Sequence, residues 1–362
     1  MTRYASNQLR RVIGAAVVIL MVCGTSTFAL QEKISPLSDY QYKRDFAQYE
    51  TFKAETDTQK KADLLLGFVK ERPISRILLY VANDYMEAVK PHIAKNDFAK
   101  TISMTEALLA ILPTDASIEA AQIPVGVDEF KKEQLLPTQA LLHQTLLTAY
   151  YQSNNLPKAA EEAETLYAMT SNNALLPALA DIYYKMQNWD KYLPYAQKIM
   201  EASPMEQPQG YNTAIQMAQV YIQKQDVAAA TELLSKVMDV YGDKVPEGIQ
   251  EAPWNATRAF AYGLIASGVY GKKDYPKALE LYEKVAKFDP KREDAHYYIG
   301  MCKWQTQDPE GAIEAFARCV VLNGQLAQRA QQYLEQLYKA RHNDSLDGLE
   351  ELKAKAKSEL GI

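Results

Sequence analysis

Apolar side chains along this chain return at intervals of three and four residues, the spacing that keeps them on one face of an α-helix. Tyr42, Phe46, Tyr49 and Phe52 mark the first such face. The segment from Thr58 to Pro73 predicts a second helix, ended by the proline. Ile74 to Pro113 predicts two more around a break at Asn96-Asp97. Residues 114–137 lose the pattern and carry Pro124, Gly126 and Pro137. They are expected to form a long connection with one short helix from Asp128 to Gln134.

From Thr138 the helices pair. First helices are predicted over 138–152, 174–187 and 210–224, and each is followed by a partner. The stretch 241–254 reads as an insertion. Two further units come after it, the last built from helices over 293–306 and 309–322. Ala266, Ala278 and Tyr282 recur as Gly300, Ala312 and Phe316, each 34 residues later. A fixed period of this size is the mark of stacked helical hairpins, each burying its apolar face against the next. Ala180, Ala218, Ala266, Ala278, Gly300 and Ala312 are expected where helices cross. A small side chain there allows an approach of about 8 Å. Leu326, Ala330, Tyr333, Leu334, Leu337 and Tyr338 form one stripe, as the end of an open array requires. Ser345 to Leu360 predicts one more short helix, less firmly held.

In combination this pattern resembles the tetratricopeptide repeat. A small residue is followed by an aromatic three later, a second small residue twelve after the first, an aromatic four beyond that, and a closing proline. The segment from Ala261 to Pro290 carries it through Ala266, Ala278, Tyr282 and Pro290. Weaker echoes stand at Thr101 and Pro113. Val269 and Lys303 occupy positions where an aromatic is expected, and Tyr192 replaces a small residue. These departures suggest locally altered packing. The resemblance implies an all-α solenoid of helical hairpins wound as a right-handed superhelix. The expected division is a signal peptide or anchor over 1–29, degenerate helical repeats over 30–113, a linker over 114–137, the array over 138–324 and capping helices over 325–362.

The same resemblance directs attention to a concave groove lined by first helices. Tyr151, Tyr184, Ile222, Tyr270 and Trp304 fall there, four residues after each small position. Four of these five are aromatic, which suits apolar or aromatic side chains of an extended or helical partner. The opposing reading is that the rings pack against the neighbouring unit. Family members that clamp a partner's terminal carboxylates use Lys, Arg and Asn along this face. Here it carries Gln144, Thr148, Asp181, Gln219, Ser267 and Met301, which argues against such a clamp.

The N-terminus resembles an export signal. Arg3, Arg10 and Arg11 precede an uncharged run from Val12 to Cys23, and Thr27-Phe28-Ala29 offers a cleavage site. Residues 12–30, left uncleaved, would be an anchor, since about 20 apolar residues span a bilayer. A lipoprotein reading through Cys23 is disfavoured by the bulky Val22. Removing residues 1–29 takes away three arginines and no acid, moving the formal charge from −5 to −8. A chain this acidic lacks the cations that neutralise phosphates, which argues against nucleic acid.

Few features suggest chemistry. His92, His143, His296 and His342 are scattered and fit no metal-ligand spacing, so no metal or cofactor is expected. His143 and His296 are read as packing residues. Cys302 and Cys319 are offset by about 8 Å along an antiparallel pair, at 1.5 Å per residue. That exceeds the usual reach of a disulfide, so two buried free thiols are expected. Asn255 is expected to cap a helix rather than carry a glycan. The expected function is that of an exported, non-catalytic scaffold or adaptor for a protein or peptide partner. The alternatives are a membrane-tethered envelope assembly factor, and an envelope enzyme or regulatory subunit using the groove as substrate site.

Overall fold

The computed structural model describes residues 34–242 and 244–362. The expected signal over 1–29 and the candidate anchor over 12–30 lie outside the described residues. The fold is all-α: no strand occurs among the described residues, and consecutive helices pack as hairpins. None of the described helices is long and apolar enough to cross a membrane. Contacts divide the chain into two compact units, one running to Thr170 and one from Ser171.

The first unit holds α1 (Asp39–Lys53), α2 (Thr58–Glu71), α3 (Leu78–Ala94), α4 (Phe98–Leu109), α5 (Asp115–Ala120), α6 (Val127–Phe130), α7 (Leu136–Gln152) and α8 (Leu156–Thr170). Leu65, Ile77, Leu78, Val81, Val89, Leu108 and Leu142 are sealed in its core. One carboxylate is buried with them. Asp45 is 1% exposed and accepts from Arg72 at 2.7 Å, from the Ser75 hydroxyl at 2.6 Å and from Gln41 at 2.6 Å. A buried carboxylate is tolerated when it is paired and hydrogen-bonded in this way.

Residues 114–137 contribute more than a connection. Thr114 and Ser117 close a capping box on α5, and Ile118, Phe130 and Leu135 are buried in the first unit's core. A π-helical turn over Lys131–Leu135 joins α6 to α7, so the chain stays helical from Val127 to Gln152. Pro137, just after this turn, has no N–H to give to a preceding carbonyl. Such gaps are commonly absorbed by a wider turn.

The second unit holds α9 (Leu176–Lys185), α10 (Trp189–Ala202), α11 (Pro208–Gln223), α12 (Val227–Tyr241), α13 (Glu251–Gly271), α14 (Tyr275–Phe288), α15 (Glu293–Gln305), α16 (Pro309–Leu322), α17 (Ala327–Arg341) and α18 (Leu349–Leu360). Ala180, Ala218, Ala266, Ala278, Gly300 and Ala312 are all buried. Of the expected insertion over 241–254, the last residues are helical. Trp254 on α13 is fully buried, with Tyr211 and Tyr241 at 5.5 and 5.9 Å between ring centroids.

Two expectations are corrected. Asn255 caps nothing: α13 begins at Glu251, so Asn255 lies in its second turn and accepts from Arg258. The C-terminal helix is firmly held rather than loose. Leu349 and Leu360 are buried, and Arg318 on α16 forks onto Glu359 at 2.8 and 3.1 Å.

Candidate functional site

A single turn geometry sets the register of the first helices. Asn96, Asn154, Gln187, Gln225, Lys273 and Gln307 each close a hairpin in the left-handed region, with φ between 54° and 66°. The next residue is always Asp or Asn: Asp97, Asn155, Asn188, Asp226, Asp274 and Asp308. Its side chain accepts from the amide three residues on, capping the second helix. The left-handed residue in turn donates its N–H to the carbonyl three residues back. Those carbonyls belong to Ile93, Tyr151, Tyr184, Ile222, Tyr270 and Trp304.

The backbone therefore places the five candidate groove residues at one structural position, the last turn of a first helix. It adds a residue that sequence reasoning missed, Ile93, at the end of α3. The usable signal was the pair of a polar residue and Asp or Asn that closes each hairpin. Each of Tyr151, Tyr184, Ile222, Tyr270 and Trp304 is half-buried.

Their rings also pack. Tyr184 stands edge-on to Trp189 and Tyr192 at 5.5 and 5.4 Å. Tyr270 meets Tyr275 at 5.5 Å and Tyr298 at 5.0 Å, and Trp304 meets Tyr333 at 5.4 Å. Edge-to-face contacts of this kind stabilise by about 0.5–1.5 kcal/mol beyond area. In the second unit, among the described residues, no groove ring touches another groove ring. Tyr184 packs within its own hairpin, whereas Tyr270 and Trp304 reach Tyr298 on α15 and Tyr333 on α17 of the following unit, and each ring remains half-buried.

Two hollows lie along these helices. In the first unit a cavity of about 160 Å³ is lined by Ile93, Phe98 and Thr101 on one side and Leu141, Gln144 and Thr148 on the other. In the second unit a larger one, about 500 Å³, lies among α9, α10 and α11. Tyr184 and Asp181 line it, with Tyr192 and the α11 residues Gln209, Asn212 and Gln216. Asp181 pairs with Lys185 at 3.0 Å.

His143, Tyr150 and His296 have structural partners. His143 Nδ1 lies 2.6 Å from Glu162, and the Tyr150 hydroxyl donates to Glu106 at 2.6 Å. His296 is buried and its Nε2 donates to the Pro290 carbonyl at 2.8 Å. Burial holds its pKa below the ordinary imidazole value. Cys302 and Cys319 are both fully buried and unbonded, and burial pushes each thiol up to about 12. Among the described residues, no group of His, Cys, Asp or Glu is arranged to hold a metal ion.

Residues 294–325, spanning α15 and α16, match the family model of the tetratricopeptide repeat. No curated protein matches the chain. Among solved structures the chain is similar to MamA from Desulfovibrio magneticus RS-1, at 15% identity over 53% of this chain and 97% of that one, with a TM-score of 0.33. It is similar to YrrB, described as a TPR protein with an unusual peptide-binding site, at 14% identity over 57% of this chain and 97% of that one, TM-score 0.38. It is also similar to a tetratricopeptide repeat protein from Parabacteroides merdae, at 11% identity over 82% of this chain and 98% of that one, TM-score 0.30.

Proposed function

We propose that this chain is an exported tetratricopeptide adaptor that holds a protein or peptide partner against its first helices and performs no catalysis. The observation that carries the reading is the repeated hairpin turn. It returns Tyr151, Tyr184, Tyr270 and Trp304 to one position, half-buried, with polar side chains such as Asp181 and Gln219 nearby. Half-buried amphipathic rings give contact area at low entropic cost. The polar neighbours supply hydrogen bonds that set orientation. First-helix ends of this composition suit a polypeptide better than a reaction centre, which needs convergent titratable groups.

Export rests on the N-terminal arginines and the uncharged run beyond them, with residues 12–30 as the membrane tether if they are retained. N-terminal sequencing of the protein from its native cells distinguishes the two. A chain starting at Leu30 supports cleavage, and a chain starting at Met1 supports the tether.

Replacing Tyr184 and Tyr270 by Ala tests the groove. Weakened capture of the partner with unchanged far-ultraviolet helicity supports the adaptor reading. Equal loss of helicity and capture assigns the rings to packing alone. A hydrolase substrate panel run on the wild-type chain tests the absence of catalysis, and turnover there would contradict it.

A further inference from the structure

One wall of the larger cavity departs from the rest of the array. Leu147, Ala180, Ala218, Ala266 and Gly300 put five first helices in sequence register. Two residues before them stand Thr145, Ala178, Gln216, Leu264 and Tyr298, and six before them Leu141, Ala174, Asn212, Phe260 and Asp294. Of the five helices, α11 alone carries a carboxamide at both places. Gln209 adds a third, and all three line the cavity of about 500 Å³.

At helical spacing these amides share one face of α11 and span about 10 Å. They are exposed, and among the described residues none has a hydrogen-bond partner within the protein. Thr213, between them, is satisfied: its hydroxyl donates to the Gln209 carbonyl at 2.8 Å. Packing gives no reason for three amides here, whereas a polar ligand does. The wall is also fixed in place. A Cβ on Gly210 would lie 2.2 Å from the Ser203 carbonyl oxygen, so α11 starts in direct contact with the end of the preceding hairpin. The Tyr241 hydroxyl donates to the Met205 carbonyl at 2.6 Å in the same connection. Polar groups set on a rigid element lose little entropy when they bind.

Helix α9 supplies two other groups to the lining. Tyr184 is half-buried and contributes a ring. Asp181 is exposed, with Lys185 at 3.0 Å balancing its charge, and its carboxylate has room to accept further hydrogen bonds. A carboxamide both donates and accepts, as a hydroxyl does, so a row of amides matches a row of hydroxyls. A carboxylate accepts from hydroxyls, and an aromatic ring covers an apolar C–H face. The volume falls within the 300–1,000 Å³ of small-molecule sites. A chain laid along the whole array would meet Leu264 and Tyr298 where α11 offers Gln216, so the amides of this one helix suit a compact ligand. We propose that the cavity among α9, α10 and α11 binds a short neutral oligosaccharide, its hydroxyls bonded to Gln209, Asn212, Gln216 and Asp181 and one sugar ring lying on Tyr184. This site goes beyond the adaptor reading and does not depend on it.

The test titrates the full chain by calorimetry with maltotriose, cellotriose and chitotriose, and with end-blocked Ala-Lys-Ala and Ala-Gln-Ala as peptide controls. At least one trisaccharide binds one-to-one with a Kd of about 1 mM or tighter, and both peptides bind about ten-fold more weakly or not at all. Asn212→Ala and Gln216→Ala each weaken that sugar about five-fold, the scale of one neutral hydrogen bond. Their melting temperatures stay at the wild-type value, since both positions are exposed. Gln144→Ala, in the smaller cavity of the first unit, leaves the affinity unchanged. Absence of trisaccharide binding, or binding that survives both α11 variants, overturns the site. So does a sugar affinity that falls equally in Gln144→Ala. A peptide control that binds more tightly than every trisaccharide, through the same α11 amides, assigns the cavity to a polypeptide and also overturns it. The adaptor reading is judged separately, by photocrosslinking of the first helices to a polypeptide partner.

Discussion

Gly300 on α15 sits directly under the ring of Phe316 on α16: a Cβ at Gly300 would lie 2.7 Å from the ring's Cε1. The ring has no room to swing aside. Phe316 is fully buried, stacked on Tyr333 at 5.5 Å and edge-on to Tyr297 at 6.0 Å. This contact lies inside the segment that matches a tetratricopeptide repeat, and it is the physical reason a small residue recurs at the crossing.

Gly300→Ala is therefore expected to destabilise the chain by about 1–2 kcal/mol in urea unfolding, because overpacking outweighs the gain in helix propensity. Gly268 on α13 is the matched control, since a Cβ there meets nothing within 4 Å. Gly268→Ala should stabilise by about 0.5–1 kcal/mol. Opposite signs for the two alanines support the packing described. The same sign for both contradicts it.

The buried His296 gives a pH signature. Burial lowers its pKa in the fold below the ordinary imidazole value. The unfolded chain therefore takes up the proton more readily as pH drops below about 6.5, so the stability contribution is present above that pH and is lost on going down toward the folded pKa. His296→Gln has no such term. Wild type should lose stability relative to the variant between about pH 7.5 and 5.5 in urea titrations. Parallel curves for the two chains would show that His296 is not held neutral by the fold.

Cys302 and Cys319 should be inert to iodoacetamide in the native state, because thiolate is the reacting form and each thiol is raised to about 12. Mass spectrometry of the peptides holding them should show labelling only above the unfolding midpoint. Labelling in native buffer, or the loss of two hydrogens across the unreduced pair, would contradict the burial described.

Much of the helical layout was legible in the sequence because its punctuation is chemical. Asn96-Asp97 and Pro113 end helices where the spacing of apolar residues also ends. The small residues from Ala180 to Ala312 are recognisable since a crossing tolerates little else. Residues 114–137 were harder. Helices as short as Asp115–Ala120 and Val127–Phe130 show no full period, and the π-helical turn before Pro137 shifts the register of α7.

The groove was only partly legible. Spacing located Tyr184, Tyr270 and Trp304, but could not separate a ring that packs from one that faces solvent, and the structure has each doing both. Ile93 escaped notice because its hairpin lacks the small-residue signature, although Asn96-Asp97 closes it with the same turn. Tyr192 was visible as a departure. The cavity it lines is completed by α11, a helix outside its own hairpin. No local pattern encodes that.

The most direct test of the central claim is photocrosslinking of the full chain in its native cells, with p-benzoylphenylalanine placed at Asp181, Gln219 or Ser267 on first helices, or at Glu232 or Glu280 on second helices. All five positions are exposed. The adaptor account predicts one shared polypeptide adduct from the first-helix positions and none from the second-helix positions. Adducts confined to the second helices, or equal from both sets, would contradict it.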